Sequence, residues 1–380
     1  MNAPFSSHIE AAALAWDVPA LAAGWSAGGE TVTGAHGCDP GTIFRVASVT
    51  KPLTATLALG LLELEAATGI WPEDVRIRHL LAHTSGYDCE CGDLARFGAG
   101  DGALGAVVAE LPGVRRFVGV DEAWSYANTA YWLAGHLAAV RAGSSFEDAL
   151  AARVLGPAGL ESTSFGEPEL PGTGPEAAAG PYPRARRPSG GLVSNVPDLL
   201  RFGAWHLAQP ESAQLRVPRA RPPGGVYGLG LFGERVGGSE VWGHGGSYGG
   251  FQSSLLVIPG RDAVFVGLTN SSVGRQALRE LEDVFLEHVL GARRRVPATI
   301  QLPSALLEAL AGSYANSDGS YEVATAGDGL IATYEDGVFA ARAVGERSFE
   351  IVEGTRIGDR FDFPLDGFGR FGSRLAERVA

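Results

Sequence analysis

Residues 44–56 read FRVASVTKPLTAT, and the lysine in that stretch decides how the chain is understood. Of 30 basic residues, 29 are arginine, and Lys51 is the only lysine in 380 positions. A guanidinium stays protonated in proteins, whereas an ammonium deprived of water can give up its proton. The one side chain able to become a neutral amine stands three residues after Ser48. Positions i and i+3 of a helix share a face, so the two side chains are within reach of each other. Ser48 also opens the apolar helical pattern that follows, where unsatisfied N–H groups and the helix dipole favour negative charge. A serine so placed, with a desolvated amine beside it, is a nucleophile with its base. An N-cap serine followed by a solvated lysine is the plainer reading of the same Ser-x-x-Lys, and the pattern by itself does not separate the two.

The length is too great for one small core, so two or more domains are expected. With 45% hydrophobic and 19% charged residues the balance is globular and carries no disorder signature. A net charge of −13 argues against a nucleic-acid or anionic-membrane partner, since both need a basic face. The first thirty residues lack a basic segment followed by an apolar one, and Asp17 and Pro19 interrupt the single apolar run there. No window supplies the roughly 18 apolar residues of a membrane span. Cys38, Cys89 and Cys91 are too few for a disulfide framework and fit a reducing compartment. The expectation is a soluble, cytoplasmic protein.

Around the opening stretch, HIEAAALAW predicts a short amphipathic helix, and PALAAGWSAGGETVTGAHG a hairpin turning at Gly28 and Gly29. SVTKPLTATLALGLLELEAATG predicts one long helix closed by Gly69. Residues 76–165 carry mostly helical patterns between Gly-rich loops, and 170–190 read as a Pro-rich irregular connection. From Val226 the texture turns to successive strands, followed by the helix ALRELEDVFLEHVLGARRR. From Gly312 onward a period-two alternation with Asp-Gly and Gly-Asp turns predicts an antiparallel all-β module.

Two further segments join the Ser-Val-Thr-Lys motif. WSYANTAYWLAG places Tyr126 and Asn128 at the start of a second helix, and WGHGGSYGGF places His244, Gly245, Gly246 and Ser247 on a strand. SVTK, YAN and HGG, in this order and separation, resemble the three motifs of the serine β-lactamase and penicillin-binding-protein superfamily, in the branch of class C β-lactamases, D-aminopeptidases, DD-peptidases and related esterases. IRHLLAHTSG, LGPAGLESTSFG, SGGLVSNVPDLLRF, YGLGLF and PGRDAVFVGLTNSS agree with it, so that the resemblance covers about residues 5–292. The resemblance implies an α/β, β-lactamase-like fold, an antiparallel sheet flanked by helices with a mostly helical subdomain over about 76–184. The catalytic domain is then 1–297, followed over 298–380 by a small all-β, barrel-like domain similar to the lipocalin-like domain of several relatives.

The same resemblance implies roles. Ser48 is the nucleophile that forms an acyl-enzyme, Lys51 shares its proton, and Tyr126 is partner base and proton donor to the leaving group. Asn128 bonds Lys51 or a substrate amide. His244, Gly245, Gly246 and Ser247 bind substrate, with the N–H groups of Ser48 and Ser247 as oxyanion hole. Two departures stand out. His244 occupies the place of a lysine in the lactamase motif, which weakens the case for substrates clamped by a carboxylate, β-lactams included. VGVDEAW replaces a Pro-Gly turn before YAN, so Asp121 and Glu122 reshape that rim.

Rival readings exist for some of these residues. His79, His83, Cys89 and Cys91 suggest zinc, but Cys-x-Cys is not a usual chelating spacing, and no metal is expected. GHGG lacks the Lys-Ser/Thr of a phosphate loop. Trp124, Tyr131 and Trp132 fit core or pocket wall better than a stacking platform. The expectation is a cofactor-free serine hydrolase or acyltransferase of esterase, D-aminopeptidase or transacylase type. Its partner is a small-molecule or short-peptide ester, thioester or amide, with water or an amine as acceptor. A binding protein that kept this fold and lost the chemistry is the reading from another class.

Overall fold

The computed structural model describes residues 4–178 and 180–379. Strands β1 (Leu21–Ala27) and β2 (Glu30–His36) form the N-terminal hairpin, turning at Gly28-Gly29. A short ribbon pairs β3 (Phe44–Arg45) with β4 (Val193–Ser194). The remaining strands of the main sheet are β5 (Val226–Tyr227), β6 (Phe232–Val236), β7 (Ser239–Tyr248), β8 (Phe251–Ile258) and β9 (Ala263–Thr269). All pair antiparallel, in the order β2-β1-β9-β8-β7-β6-β5.

Every residue of β9 is buried, because helices cover both faces of the sheet. Side chains along a strand point alternately to opposite faces, and the core divides accordingly. Phe265, Leu256 and Trp25 pack with α1 (Phe5–Ala15) and with α9 (Arg275–Leu290) through Phe5, Ile9 and Phe285. Val264, Val266 and Leu255 face the other way, into the larger core. That core is shared with a helical layer of α2 (Thr50–Leu61), α3 (Ile77–Leu81), α4 (Ala103–Glu110), α5 (Asn128–Ala142) and α6 (Phe146–Leu150), on which the short α7 (Arg187–Gly190) packs through α2 and α5, together with α8 (Val196–Ala208). Among the described residues, no helix is long and apolar enough to cross a membrane.

One expected boundary is wrong. The helix predicted to run to Gly69 stops at Leu61. The backbone beyond it is taken by the segment ahead of α3: Ile77 N–H donates to Ala66 O at 3.1 Å, Arg78 N–H to Leu64 O at 2.9 Å, and Ala67 bridges Arg76. These tertiary bonds outcompete one or two more helical turns, whose intrinsic gain is small. Tyr126 also lies just outside its expected helix, in irregular backbone before Asn128, which begins α5.

After α10 (Ser304–Leu310) comes a closed antiparallel barrel of β10 (Gly312–Asn316), β11 (Gly319–Ala326), β12 (Gly329–Tyr334), β13 (Gly337–Gly345), β14 (Ser348–Ile351), β15 (Arg360–Leu365), β16 (Phe368–Phe371) and β17 (Arg374–Arg378). Strands β10 and β17 close it through Tyr314–Arg378 and Ala315–Glu377. Aromatic side chains fill its centre, among them Tyr321 stacked on Phe371 at 4.8 Å and Phe349 on Phe361 at 5.4 Å. A barrel of this strand number is just wide enough for side chains to fill.

Candidate active site

The strand β3 delivers the chain into a tight turn. Ala47 has φ 43°, in the left-handed region that non-glycine residues rarely adopt. Neighbours hold it there: Val46 N–H donates to Leu192 O at 3.1 Å, and Val46 O accepts from Ser253 Oγ at 2.7 Å. Ser48 follows on a single 3₁₀ turn, Ala47–Val49, that runs directly into α2. Strain of this kind is maintained only where the surroundings over-determine it.

Lys51, on the first turn of α2, is fully buried at 0% exposure. Its Nζ lies 3.1 Å from Ser48 Oγ and donates to Ser189 O at 2.6 Å. Burial, and after it the positive charges of Arg186 and Arg374, hold this amine well below the ordinary lysine value, against the pull of Glu90. A neutral amine has one lone pair, and the Ser48 hydroxyl is the donor within reach of it.

The Tyr126 ring lies beneath the same amine, with its centroid 4.6 Å from Lys51 Nζ. Burial raises the pKa of its phenol, while hydrogen bonding to Ser48 works in the other direction. The phenol therefore carries its proton at neutral pH. Its other neighbour is His244, whose Nε2 is 3.5 Å from the Tyr126 hydroxyl. His244 Nδ1 donates to Gly245 O at 2.5 Å, which leaves Nε2 as an acceptor. Burial pushes this imidazole down to about 3. The sequence reading treats His244 as a substrate contact. The structure buries it and turns its Nε2 toward the Tyr126 hydroxyl.

Strand β7 brings the third motif to the nucleophile. β6 pairs with β7 only up to Gly243, so residues 244–248 run on past its end with β8 alone beside them. A Cβ on Gly246 would stand 2.4 Å from Val46 O and 2.9 Å from Ser48 N, which shows how closely this strand lies on the serine turn. Ser247, the next residue, accepts from Gln252 Nε2 through its hydroxyl at 2.8 Å. Asn128 sits on the opposite rim, and its amide donates to Glu90 rather than to Lys51. Glu90 also accepts from Arg186 at 3.0 Å and lies 3.8 Å from Arg374 of the barrel.

Residues 8–288 match the family model described as Beta-lactamase. The chain belongs to the beta-lactamase family. It is 29% identical over 301 residues to penicillin-binding protein 4 of Amycolatopsis lactamdurans, covering 66% of this chain and 78% of that one. A structure of SurE with D-Leu superposes with a TM-score of 0.77 at 24% identity, over 99% of this chain and 98% of that one. D-Amino acid amidase from Ochrobactrum anthropi SV3, complexed with L-phenylalanine amide, gives a TM-score of 0.63 at 21% identity, over 75% of this chain and 98% of that one. These superpositions show the fold: both the beta-lactamase-like body and the barrel lie within the span matched by SurE. The family and its neighbours are of serine hydrolase type.

In this beta-lactamase family member the residues considered for zinc have structural partners. His79 Nδ1 accepts from Arg76 N–H at 2.9 Å and its Nε2 faces Asp121 at 3.1 Å. His83 Nδ1 accepts from Ala127 N–H at 3.0 Å, and Cys89 Sγ lies 3.4 Å from Ser317 Oγ. Among the described residues, no group of three or more His, Cys, Asp or Glu side chains is placed to hold a metal ion. Sequence reasoning missed Ala47, Ser189, Glu90, Arg186 and Arg374. Ser189 opens the SGGLVSN segment already noted as agreeing with the family, which was its one available signal. Arg374 carried none, since it reaches the site from the barrel.

Two tests follow from this geometry. Gly246→Ala is expected to lower the rate of Ser48 acylation by about 10² or more, because a misplacement near 1 Å costs that much. Gly245→Ala, whose Cβ meets nothing nearer than Ser253 O at 3.5 Å, keeps the melting temperature. The second test concerns Lys51. The folded amine is neutral at a pH where the unfolded one is charged, so the unfolded chain binds more protons and this site adds stability as pH rises toward 10.5. Lys51→Met lacks that slope. Wild-type unfolding free energy, measured relative to the variant by urea denaturation, is expected to increase between pH 7 and pH 10. A constant difference means that Lys51 is a buried ammonium.

Proposed function

We propose that the chain is a serine acyl-enzyme catalyst acting on an ester, thioester or amide of a small molecule or short peptide. The observation that carries this reading is the only lysine of the chain, fully buried, with its amine 3.1 Å from the Ser48 hydroxyl. Ser48 Oγ bonds to the substrate carbonyl carbon as its proton passes to Lys51 Nζ. The oxyanion so formed sits against the N–H groups of Ser48 and Ser247, an interaction worth about 3 kcal/mol per donor in comparable sites. Collapse breaks the bond to the leaving group, which takes the Tyr126 proton, and the Lys51 ammonium restores that proton to the phenol. The second half runs in reverse. Tyr126 and Lys51 take a proton from water or an amine as it attacks the acyl carbon, and Ser48 leaves with its proton restored.

The rest of the site supports this division of labour. A lysine kept neutral by its surroundings is a base, and a phenol kept protonated is an acid. His244, neutral and accepting, steadies the Tyr126 hydroxyl and offers no permanent anion clamp. The free thiols of Cys38, Cys89 and Cys91 support a reducing, cytoplasmic setting for the substrate. SurE was solved with D-Leu, and the Ochrobactrum neighbour is a D-amino acid amidase, so D-aminoacyl donors come first in a substrate panel. Transfer to an amine, in the assembly of a natural product, is the second reading. What favours it is the barrel lying against the segment that carries the proposed acid–base residue, since Ser373 O accepts the Tyr126 N–H at 2.9 Å.

The test uses activated D- and L-aminoacyl aryl esters and a fluorophosphonate, read by intact mass. A mass shift confined to Ser48, and absent in Ser48→Ala, is expected. An unmodified wild-type protein across the panel supports the binding-protein alternative. Adding amine acceptors separates hydrolysis from transfer by product mass. Lys51→Arg keeps the charge yet is expected to be nearly inactive, because guanidinium takes no proton. Tyr126→Phe is expected to slow acyl transfer by about 10² or more. His244→Ala is expected to lower kcat rather than only raise KM.

A further inference from the structure

Residues 124–127 have no regular secondary structure, although Tyr126 stands among them. Its position is therefore set by tertiary bonds, on one side from His83, whose O accepts the Ser125 N–H at 2.9 Å and whose Nδ1 accepts the Ala127 N–H at 3.0 Å, and on the other from the barrel. Strands β16 and β17 are joined by the two-residue turn Gly372-Ser373, with φ 52° and 74°, the conformation of a tight hairpin. The turn projects onto the Tyr126 segment. Ser373 O accepts the Tyr126 N–H at 2.9 Å, and Ser125 Oγ accepts the Leu375 N–H at 3.0 Å. Arg370, only 3% exposed, donates to Trp124 O at 2.8 Å and lies over the Trp124 ring at 5.5 Å. Three consecutive residues, Trp124, Ser125 and Tyr126, are thus gripped by one hairpin.

Arg370 differs from the other two grips in being a side chain aimed by a partner of its own. It is the cross-strand neighbour of Asp362, and its Nε donates to that carboxylate at 2.8 Å while a second nitrogen meets the other oxygen. The bidentate pair fixes the guanidinium plane. The one remaining terminal nitrogen then points at Trp124 O. The pair with Asp362 uses two of the five N–H donors of this buried guanidinium, and one of those left is spent outside the barrel, on the carbonyl two residues before the proposed acid–base tyrosine.

We propose that Arg370 is a positioning residue for the acyl-transfer reaction: held by Asp362, it fixes the Trp124–Tyr126 segment so that the Tyr126 hydroxyl stays on Ser48 and Lys51. This rests on the reading of Ser48, Lys51 and Tyr126 as the acyl-transfer machinery. The barrel is then a structural part of the active site and not an appended module. The catalytic body alone presents Tyr126 on irregular backbone.

The test is a double-mutant cycle in the full chain. Asp362→Leu with Arg370→Met removes the bond to Trp124 O without leaving either charge buried alone. In a folded variant with wild-type near-ultraviolet dichroism, kcat on an aryl ester is expected to fall about tenfold with KM nearly unchanged. In the Tyr126→Phe background the same pair of substitutions is expected to change kcat by less than about twofold, because the residue being positioned is gone. A wild-type kcat, or an equal loss in both backgrounds, overturns the proposal. If the paired variant does not fold, Arg370→Lys, which keeps the charge beside Asp362 but lacks the planar fork that reaches both Asp362 and Trp124 O, is measured in the same cycle and decides by the same criteria. Failure of the wild-type protein to acylate at Ser48 appears before any variant is made and strikes the functional reading itself.

Discussion

A fully buried amine facing a hydroxyl is an expensive arrangement, and the segments around the site are arranged about it. Lys51 has no contact with water, and its Nζ is 3.1 Å from Ser48 Oγ. A lone ammonium there would lack a counter-ion, since Glu90 is already engaged by Asn128 and Arg186. Shedding the proton is the cheaper outcome, and it turns a cost of burial into chemical capacity. Ala47 is the other side of the same constraint. Its left-handed backbone turns Ser48 onto α2 at the point where the amine and β7 meet it.

The barrel enters this logic as a source of fixed partners. Asp88 accepts the Ser317 hydroxyl at 2.8 Å, and Glu90 N–H donates to the same serine at 3.0 Å. The hairpin at Gly372-Ser373 holds the Tyr126 segment from the other side, and a small apolar cluster of Val118, Ala123 and Leu375 fills the space between. Two irregular stretches that line the site, 88–90 and 124–126, thereby acquire hydrogen-bond partners that neither helix nor sheet gives them. Buried backbone groups without such partners would be costly.

What could be read in the sequence was what lies close along the chain. Ser48 and Lys51 are one helical turn apart, so a local pattern sufficed, and the scarcity of lysine marked the residue. The apolar run of β9 and the period-two alternation and Asp-Gly turns of the C-terminal module were likewise local and marked strands, while the barrel was legible only through the family resemblance. The YAN and HGG segments were legible through their order and family resemblance, although the state of His244 was not. A neutral imidazole is a product of burial, and burial is not visible in a motif. Glu90, Arg186 and Arg374 come from three separate parts of the chain and meet only after it folds. The end of α2 was misplaced for the same reason: residues 64–67 are claimed by 76–78, a competition decided in three dimensions.

The near-absence of lysine has a further chemical meaning. Exposed lysine amines are themselves acceptors for activated acyl groups, so a protein that handles such donors risks modifying its own surface. Here all 29 other basic side chains are guanidinium groups, which remain protonated and are poor nucleophiles, and the single lysine is sealed inside. The surface keeps its cations for ion pairs while offering no side-chain amine for stray acylation.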